Sequence, residues 1–456
     1  MNRVYFSASD YGFVELAIKD DVPDYQNIFT VLVGKNGVGK SRLLSNIAKE
    51  CIQKYRADLD VLYQVERHVI PKLIAVSTSP FDKFPSNRRY VNSADTETNY
   101  RYVGMRGEGP FGASSAVSLL ASAAKGWLEK LANGDNTANL LDVFHSLNFE
   151  PYAEFVFKPG YIGKATSYIP VDRYDDGVLR EINELSLRHE ISLDERYITH
   201  LKGYGVDQRR DIYEAMIEVN QFETTRKAVT LAVNFATGEF QAGSHLADRS
   251  LAKSILALLS AGLMRLMDIR LMKKSFGHMS LKLASSGEQC LLVMMLGIAG
   301  HITDGSIILI DEPEISLHPR WQEEFIVMLT RTFSSYAGCQ FIIATHSPQI
   351  ISRLPGEGCY VASLSNRTVR RAEDFRKRSA DYQLAELFDA PGVMNEYIAR
   401  LAFSLLSRVK AAKKVTDENL VELDRLKSLS ENIDRLDPTG DLIKSVVQVC
   451  EIYANN

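Results

Sequence analysis

The segment GKNGVGKS at residues 34–41 has residue types and a spacing suited to phosphate binding. Its glycines allow backbone N–H groups to converge on one anion, and a helix that begins near Lys40 adds its positive end. Lys40 can reach the β- and γ-phosphates, and the Ser41 hydroxyl suits Mg²⁺. A glycine-rich turn without a ligand is the alternative. The predicted binding residues are Gly34, Lys35, Asn36, Gly37, Val38, Gly39, Lys40, Ser41 and Arg42.

Two adjacent carboxylates, Asp311 and Glu312, follow a short apolar run at residues 306–310. Its β-branched residues predict a buried parallel strand, and ligands of open α/β sheets bind where such strands end. Asp311 is suited to orient Mg²⁺ through its water shell, and Glu312 is suited to act as general base on an attacking water. A solvated turn is the alternative.

His346 follows another apolar run, at residues 341–344, together with Thr345. This run repeats the strand pattern, so we expect the histidine at a strand end where ligands bind. A purely structural histidine is the alternative. We predict that His346 senses or hydrogen-bonds the γ-phosphate.

The segment SSGEQ at residues 285–289 precedes an apolar helix predicted at 290–302. Hydroxyls and amides at a helix N-terminus make a second phosphate site, here without its own lysine. One bound nucleotide does not need two phosphate-binding helix ends from the same subunit. We therefore expect this segment to contact the γ-phosphate that a second subunit holds. A simple helix cap is the alternative. The predicted contact residues are Ser285, Ser286, Gly287 and Glu288.

These four segments stand in the order found in ABC-type ATPases, and they resemble the SMC, Rad50, RecF and OLD kind rather than transporter heads. The resemblance is carried by Asn36, by SSGEQ and by the string DEPEISLHP at 311–319. His318 and Pro319 stand where transporters usually place an aspartate. A finer resemblance is to the PtuA-type ATPases of Septu and retron-linked anti-phage systems. It is carried by the strings STSPFDKF at 77–84, LAELF at 384–388 and PGVMNEY at 391–397, besides DEPEISLHP.

The resemblance implies an α/β fold with an ABC-type P-loop ATPase head, and ATP and Mg²⁺ as cofactors. The implied roles are phosphate and Mg²⁺ binding by Lys40 and Ser41, metal and water positioning by Asp311 and Glu312, the switch histidine at His346, and action in trans by 285–287 across an ATP-sandwiched homodimer. Relatives commonly place a glutamine after the strand that follows the phosphate loop. Residues 73–76 lead instead into Ser77, Thr78 and Ser79.

Length and composition set the organisation. A chain of 456 residues exceeds the size at which single cores stop growing, so we expect more than one subdomain. Ser41 and Ser285 are far apart in sequence, and prolines interrupt any long heptad pattern between them, which predicts a compact, mostly helical insertion. The predicted division is a first head lobe at 1–103, an inserted lid at 104–272, a second head lobe at 273–370 and a helical C-terminal region at 371–456.

Within the inserted lid the patterns predict helices at 116–132, 176–189, 207–222 and 245–272, with a strand at 228–235. Five scattered cysteines favour thiols over disulfides or zinc. The N-terminus lacks a signal pattern and no apolar stretch is long enough to span a bilayer, so we expect a cytoplasmic protein without a membrane partner. The net charge of −4 gives no global attraction to nucleic acid.

The densest basic cluster could bind nucleic acid or an acidic partner, although a solvated face is the commoner fate of such a run. It consists of Arg367, Arg370, Arg371, Arg376, Lys377 and Arg378. No His-Asn-His cluster, toprim-like acidic series or zinc pair accompanies the ATPase motifs. We therefore expect a sensor or regulatory subunit of an anti-phage defence complex. A separately encoded effector nuclease, and a reverse transcriptase with its RNA or DNA, are the expected partners. A DNA-binding clamp of the RecF or SMC sort is the alternative.

Overall fold

A computed structural model describes most of the chain. The described residues are 3–9, 12–18, 21–62, 72–85, 99–106, 116–134, 141, 144–145, 147–162, 177–191, 193–222, 228–243, 245–275, 277–315, 317–434 and 436–454. In chain order the strands are β1 Phe6–Ser9, β2 Gly12–Glu15, β3 Ile28–Val33, β4 Leu73–Ser77, β5 Tyr100–Gly104, β6 Phe149–Pro159, β7 Val229–Asn234, β8 Glu239–Ala242, β9 His245–Ala247, β10 Met264–Lys273, β11 Gly277–Ser280, β12 Ile307–Asp311, β13 Gln340–Ala344, β14 Cys359–Ser363 and β15 Thr368–Arg371.

The described α-helices, also in chain order, are α1 Lys40–Leu62, α2 Ala116–Asn133, α3 Gly177–His189, α4 Glu195–Leu201, α5 Val206–Gln221, α6 Arg249–Ser260, α7 Ser286–His301, α8 Pro319–Thr332, α9 Pro348–Ser352, α10 Ala380–Glu386, α11 Glu396–Ala412, α12 Asp417–Ser430 and α13 Pro438–Ala454. Two short 3-10 helices lie at Leu281–Leu283 and Ala372–Asp374. Among the helices within the described ranges, none is both long enough and apolar enough to cross a bilayer.

The central sheet has seven strands in the order β15-β14-β3-β13-β12-β4-β5. All neighbours pair in parallel except β14 and β15. The register aligns Asp311 with Ala344 on one side and with Ser77 on the other. Parallel strands in register end at one edge, so the residues that follow β3, β4, β12 and β13 meet there.

Two cores cover the two faces of this sheet, which explains the continuous apolar runs of its strands. One core contains Leu32, Leu309 and Ile342 together with Leu43 and Leu44 of α1. The other, larger core takes the alternate strand residues and packs them against α2, α7 and α8. The α/β head expected from the sequence is confirmed by this layered arrangement.

A second sheet of six strands lies in the inserted region, in the order β11-β10-β6-β7-β8-β9, and all of its pairs are antiparallel. Trp127 of α2 anchors it, because its ring contacts Phe155 and Phe235 edge to face at 5.6 and 5.1 Å. Helices α2, α3 and α5 and strand β7 confirm four of the elements predicted in this region.

The helix predicted at 245–272 is wrong. Only α6 is helical there, and Gly262, at a φ of 71°, lies between it and β10. Burial then alternates along β10, with Met264 and Leu266 inside and Arg265 outside. This period of two belongs to a strand rather than to a helix. Pairing of β10 with β6 decided the outcome, because β6 is distant in the sequence and no local pattern signals that pairing.

Three helices, α11 to α13, form a bundle with its own core at the end of the chain. Ile398, Leu405, Leu426 and Val446 are buried at its centre. The Asn395 side chain caps α11 by accepting a hydrogen bond from the Ile398 N–H at 3.0 Å. The helical C-terminal region expected from the sequence is confirmed.

Candidate active site

The phosphate loop connects β3 to α1, as its pattern predicts. Gly34, Gly37 and Gly39 have φ angles of 144°, 78° and 95°, which side-chain-bearing residues rarely adopt. A Cβ atom on Gly34 would also lie 3.0 Å from the Ser365 hydroxyl oxygen. The side chains of Lys35, Asn36 and Arg42 are exposed, so the backbone and Lys40 form the inner surface of the loop.

Lys40 is buried beneath this loop. Its ammonium donates hydrogen bonds to the carbonyl oxygens of Gly34 at 3.0 Å and Lys35 at 3.4 Å. Burial lowers the Lys40 pKa to about 8, although the nearby carboxylates Glu314, Glu312 and Asp311 oppose that shift. The ammonium is therefore a desolvated donor that an anion in the loop can recruit.

Ser41 and Asp311 face each other across the site. The Ser41 hydroxyl donates to Oδ1 of Asp311 at 2.9 Å. Asp311 is only 2% exposed, and burial raises its pKa to about 7. A hydroxyl and a carboxylate in contact are hard oxygen ligands, and a buried carboxylate that lacks a cation gains from one. These two residues therefore fit Mg²⁺.

Glu312 leaves the strand with an unusual backbone. Its φ is 49°, in the left-handed region that non-glycine residues rarely occupy. Its N–H donates to the Ala344 carbonyl at 2.9 Å, which fixes this turn against β13. Unlike Asp311, its side chain is partly exposed. Strained residues of this kind cluster at functional sites, and the partial exposure gives water access to the carboxylate.

Glu314 is a site residue that the sequence reasoning missed. Its carboxylate accepts hydrogen bonds from the Thr345 hydroxyl at 2.8 Å and from the His346 N–H at 2.5 Å. Burial raises the Glu314 pKa, and these donors oppose that rise. The only sequence signal was a third acidic residue after Asp311 and Glu312. Glu314 joins the loop after β12 to the loop after β13.

The His346 imidazole lies inside this cluster. Its Nδ1 is 3.4 Å from Nζ of Lys40, and Phe388 stacks on the ring with centroids 6.5 Å apart. Burial, together with the smaller effect of the Lys40 charge, lowers the His346 pKa to about 4. The ring is therefore neutral at physiological pH and can donate one hydrogen bond and accept another.

Ser77 to Ser79 occupy the position after β4 where relatives commonly place a glutamine. Ser77 pairs in register with Asp311, and its hydroxyl is 3.4 Å from the Asp311 carbonyl oxygen. The Thr78 hydroxyl is buried and has no hydrogen-bond partner within the described part of the chain. Of the three residues, Ser77 lies in direct contact with Asp311.

Asp82 fixes the rest of this loop. Its carboxylate accepts hydrogen bonds from the Tyr102 hydroxyl and from Arg106, both at 2.6 Å. Burial raises the Asp82 pKa, and its charge in turn helps to raise the pKa of Asp311. Asp82 is a second residue to which the sequence analysis assigned no role, although it lies in the string STSPFDKF.

The SSGEQ segment begins α7. Ser285 is the N-cap, and its hydroxyl accepts from the Glu288 N–H at 3.3 Å. Ser285 and Ser286 are exposed, Gly287 is buried, and Glu288 pairs with Lys273 at 2.9 Å. No hydrogen bond within the described ranges joins residues 285–288 to the phosphate loop. The structure therefore brings together the other predicted site residues but leaves this segment on the surface.

The basic cluster is partly engaged within the chain. Arg371 forms an ion pair with Asp21. Arg370 lies over the Phe375 ring at 5.8 Å, and Arg378 lies over the Tyr382 ring at 5.2 Å. These contacts favour a role in packing the segment that follows β15.

Known proteins match parts of the chain. A family model described as "AAA domain, putative AbiEii toxin, Type IV TA system" matches residues 272–352. The chain is similar to "Retron Ec83 probable ATPase" of Escherichia coli, with 30% identity over 116 residues, 23% of this chain and 21% of that protein. It is also similar to "Retron Vc95 probable ATPase" of Vibrio cholerae serotype O1 biovar El Tor, with 27% identity over 157 residues, 31% of this chain and 30% of that protein. The matches thus span less than a third of either relative.

Among solved structures, the chain is similar to "SMC head domain from Thermotoga maritima" at 16% identity. That match covers 33% of this chain and 70% of that chain, with a TM-score of 0.19. A second, "Crystal structure of the SmcHead bound to the C-winged helix domain of ScpA", is 11% identical, with coverages of 48% and 97% and a TM-score of 0.18. The motifs thus lie along one edge of the seven-stranded sheet, and parts of the chain are similar to an AAA domain and to two retron probable ATPases.

Proposed function

We propose that this chain binds ATP with Mg²⁺ and hydrolyses it as a dimer, and that the dimer regulates a retron-type anti-phage defence complex. One observation carries the catalytic part. At the edge of the central sheet, His346 contacts both Lys40 and Glu314. Ser41, the residue after Lys40, donates to Asp311 at the same edge. Oppositely charged groups held together at strand ends beside a glycine-rich loop are suited to phosphoryl transfer.

The chemistry assigns one task to each residue. Lys40 and the loop N–H groups bind the β- and γ-phosphates, and His346 donates a hydrogen bond to a γ-phosphate oxygen. Ser41 and Asp311 would hold Mg²⁺, which neutralises phosphate charge when bound. The oxygen of a water molecule attacks the γ-phosphorus while Glu312 takes a proton from that water. The bond from the γ-phosphorus to the bridging oxygen breaks, and ADP leaves.

The dimer proposal rests on the exposed serines at the start of α7. A helix N-terminus with two exposed serines, one of which caps the helix, is suited to bind an anion, and within the described residues no hydrogen bond joins it to the phosphate loop. A second copy would bring its residues 285–288 to the γ-phosphate held by the first.

The two lobes predicted at 1–103 and 273–370 together supply all seven strands of the central sheet, apart from the ends of β5 and β15. We propose that these two lobes form the ATPase head.

The defence role is supported by the two retron relatives and by the resemblance to PtuA-type ATPases. A separately encoded effector nuclease, and a reverse transcriptase with its RNA or DNA, are the partners of the proposed cytoplasmic complex. ATP binding would clamp two heads, and hydrolysis would release or activate the effector. An ATPase that changes conformation but does not itself modify a target molecule is suited to regulate another protein.

The dimer is tested by mixing two inactive variants. Lys40→Ala removes the phosphate ligand and Ser286→Arg blocks the α7 N-terminus, so each protein alone should lose ATP hydrolysis. A mixed dimer keeps one intact site, formed by Lys40 of one subunit and Ser286 of the other. An equal mixture should therefore recover up to about a quarter of the wild-type rate, if subunits exchange at random.

A matched control mixes Lys40→Ala with Glu312→Gln. Both changes affect residues that act from the same subunit, so every site in a mixed dimer stays defective and no activity should return. If the Lys40→Ala and Ser286→Arg mixture is as inactive as its components, residues 285–288 do not act across subunits.

A further inference from the structure

The string LAELF at 384–388 joins the two parts of the molecule, and its role does not follow from the ATPase motifs. Ala385 is buried in the core of the C-terminal bundle. Leu387 and Phe388, only a few positions later, are buried in the large core of the head. This short stretch therefore belongs to both cores at once.

Phe388 reaches the active site from this joint. It is 4% exposed, and its ring lies against the His346 imidazole with an angle of 27° between the two planes. The other sides of the histidine face Lys40 at Nδ1 and Glu314 at the backbone N–H. His346 thus contacts both the phosphate-binding lysine and an aromatic ring of the C-terminal region.

Glu386 fastens the same segment to the bundle. Its carboxylate accepts hydrogen bonds from the Tyr397 hydroxyl of α11 at 2.8 Å and from the Arg425 guanidinium of α12 at 2.8 and 3.2 Å. Two parallel hydrogen bonds from one arginine fix the orientation of the carboxylate in addition to balancing its charge. Two bundle helices are thereby tied to a residue two positions before Phe388.

Backbone geometry prevents Phe388 from moving alone. Asp389 has a φ of 50°, and the N–H of Ala390 donates to the Leu384 carbonyl at 3.1 Å, which closes the turn. At the other end of the joint, the carboxylate of Asp381 accepts from the Glu396 N–H at 2.9 Å. A displacement of the Phe388 backbone would therefore carry α10 and the start of α11 with it.

We propose that the contact between Phe388 and His346 couples ATP binding at the head to the position of the C-terminal bundle. This inference rests on the proposed function, because it needs a phosphate at Lys40. A γ-phosphate competes with His346 for the Lys40 ammonium and draws the imidazole toward itself. The stacked Phe388 ring follows the imidazole, and Glu386 transmits the movement to α11 and α12. Phe388 acts as a positioning residue, since it touches His346 rather than the nucleotide.

Hydrogen exchange of the full-length chain tests the coupling. In the Glu312→Gln background, which holds ATP without turnover, ATP with Mg²⁺ should change exchange rates in residues 396–430 by about threefold or more. Phe388→Ala should keep ATP affinity within about threefold, because it does not contact the phosphate loop, yet lose that change. Phe388→Leu fills the space without a planar ring, keeps the fold if alanine does not, and should also lose the change.

The matched control is Phe403→Ala, at a phenylalanine of α11 that is 57% exposed. It should leave the ATP response of residues 396–430 intact. The coupling would be overturned by a full ATP response in Phe388→Leu or by loss of the response in Phe403→Ala. It would also be overturned if the Glu312→Gln protein with Phe388 unchanged bound ATP but showed no change in exchange. Failure of the parent protein to bind ATP would instead overturn the proposed function, and the coupling with it.

Discussion

Among single residues, the buried charged groups of the candidate active site shift one another's pKa values. Burial raises the pKa of Asp311 to about 7 and lowers that of Lys40 to about 8, so desolvation penalises both charged forms. Glu314 raises the Lys40 pKa more than the other carboxylates do. The charges thus offset one another in part, and a bound metal and phosphate would complete the balance.

Glu314→Gln should slow ATP hydrolysis without abolishing ATP binding. A glutamine is neutral and has one acceptor oxygen, so the hydrogen bonds that the Thr345 hydroxyl and the His346 N–H donate to two carboxylate oxygens cannot both be kept. An unsatisfied buried donor costs about 1–3 kcal/mol, which converts to a loss of kcat of about tenfold if His346 is displaced in the transition state. Steady-state kinetics should show this loss in kcat with KM changed by less than about threefold.

The control is Glu418→Gln, at an exposed position of α12. It should leave both kinetic constants as they are. A wild-type kcat in Glu314→Gln would mean that the carboxylate does not position His346.

Among the elements, α2 and α7 approach closely enough to exclude side chains between them. A Cβ atom on Gly300 would lie 2.5 Å from the Trp127 ring, and one on Gly126 would lie 2.7 Å from the His301 ring. Small residues at a helix crossing allow the backbones to approach, and the large rings fill the space beside them. This contact supports the helix whose N-terminus carries Ser285.

His301 makes that contact sensitive to acid. It is 2% exposed, and its Nδ1 lies 3.7 Å from a Glu129 oxygen. Burial holds the His301 pKa well below its usual range, and the charges of Arg101, Lys72 and Lys125 lower it further. A hydrogen bond with the Ser122 backbone opposes this shift, but desolvation of the imidazolium dominates in a core.

His301→Leu should remove part of the acid sensitivity of folding. In the unfolded chain His301 takes up a proton below pH 6.5 and in the folded chain it does not, so the wild-type free energy of unfolding falls as pH drops. At pH 5.5 this single group costs about 1.4 kcal/mol relative to pH 7.5. Denaturant titrations at the two pH values should show a smaller difference for the variant.

His189→Gln, at the exposed end of α3, is the matched control. It should show the wild-type difference between the two pH values. An unchanged difference in His301→Leu would show that another group sets the acid sensitivity.

In the whole molecule, the C-terminal bundle is the part of the described chain that we propose as the docking site for a partner. It has its own core, and it is joined to the head through the segment that carries Phe388. Exposed apolar side chains at Val393, Met394 and Leu436 lie on this region, near the hydrogen bond from the Met394 N–H to Asp437. A regulatory subunit needs such a separate unit to report the state of its nucleotide site.

Purification of the Glu312→Gln protein with ATP, from cells that carry its neighbouring genes, should yield a stable complex that contains a nuclease. Blocked hydrolysis holds the clamped state, so partners that bind this state should remain through native mass measurement. The Lys40→Ala protein is the control and should bring down less of the same partner. A bare dimer that retains DNA would contradict the defence role and favour the DNA-binding clamp.

The sequence alone predicts the phosphate loop, the apolar strands and the acidic pair at the end of one of them, because these depend on local residue types and spacing. It also located α2, α3, α5 and β7 through short-range periodicity. It could not determine that residues 264–273 form a strand, since β10 exists through pairing with the distant β6. Nor could it show that Glu314 holds His346 or that Phe388 stacks on it. Those contacts depend on strand register and on the packing of two cores, and only the tertiary structure brings such residues together.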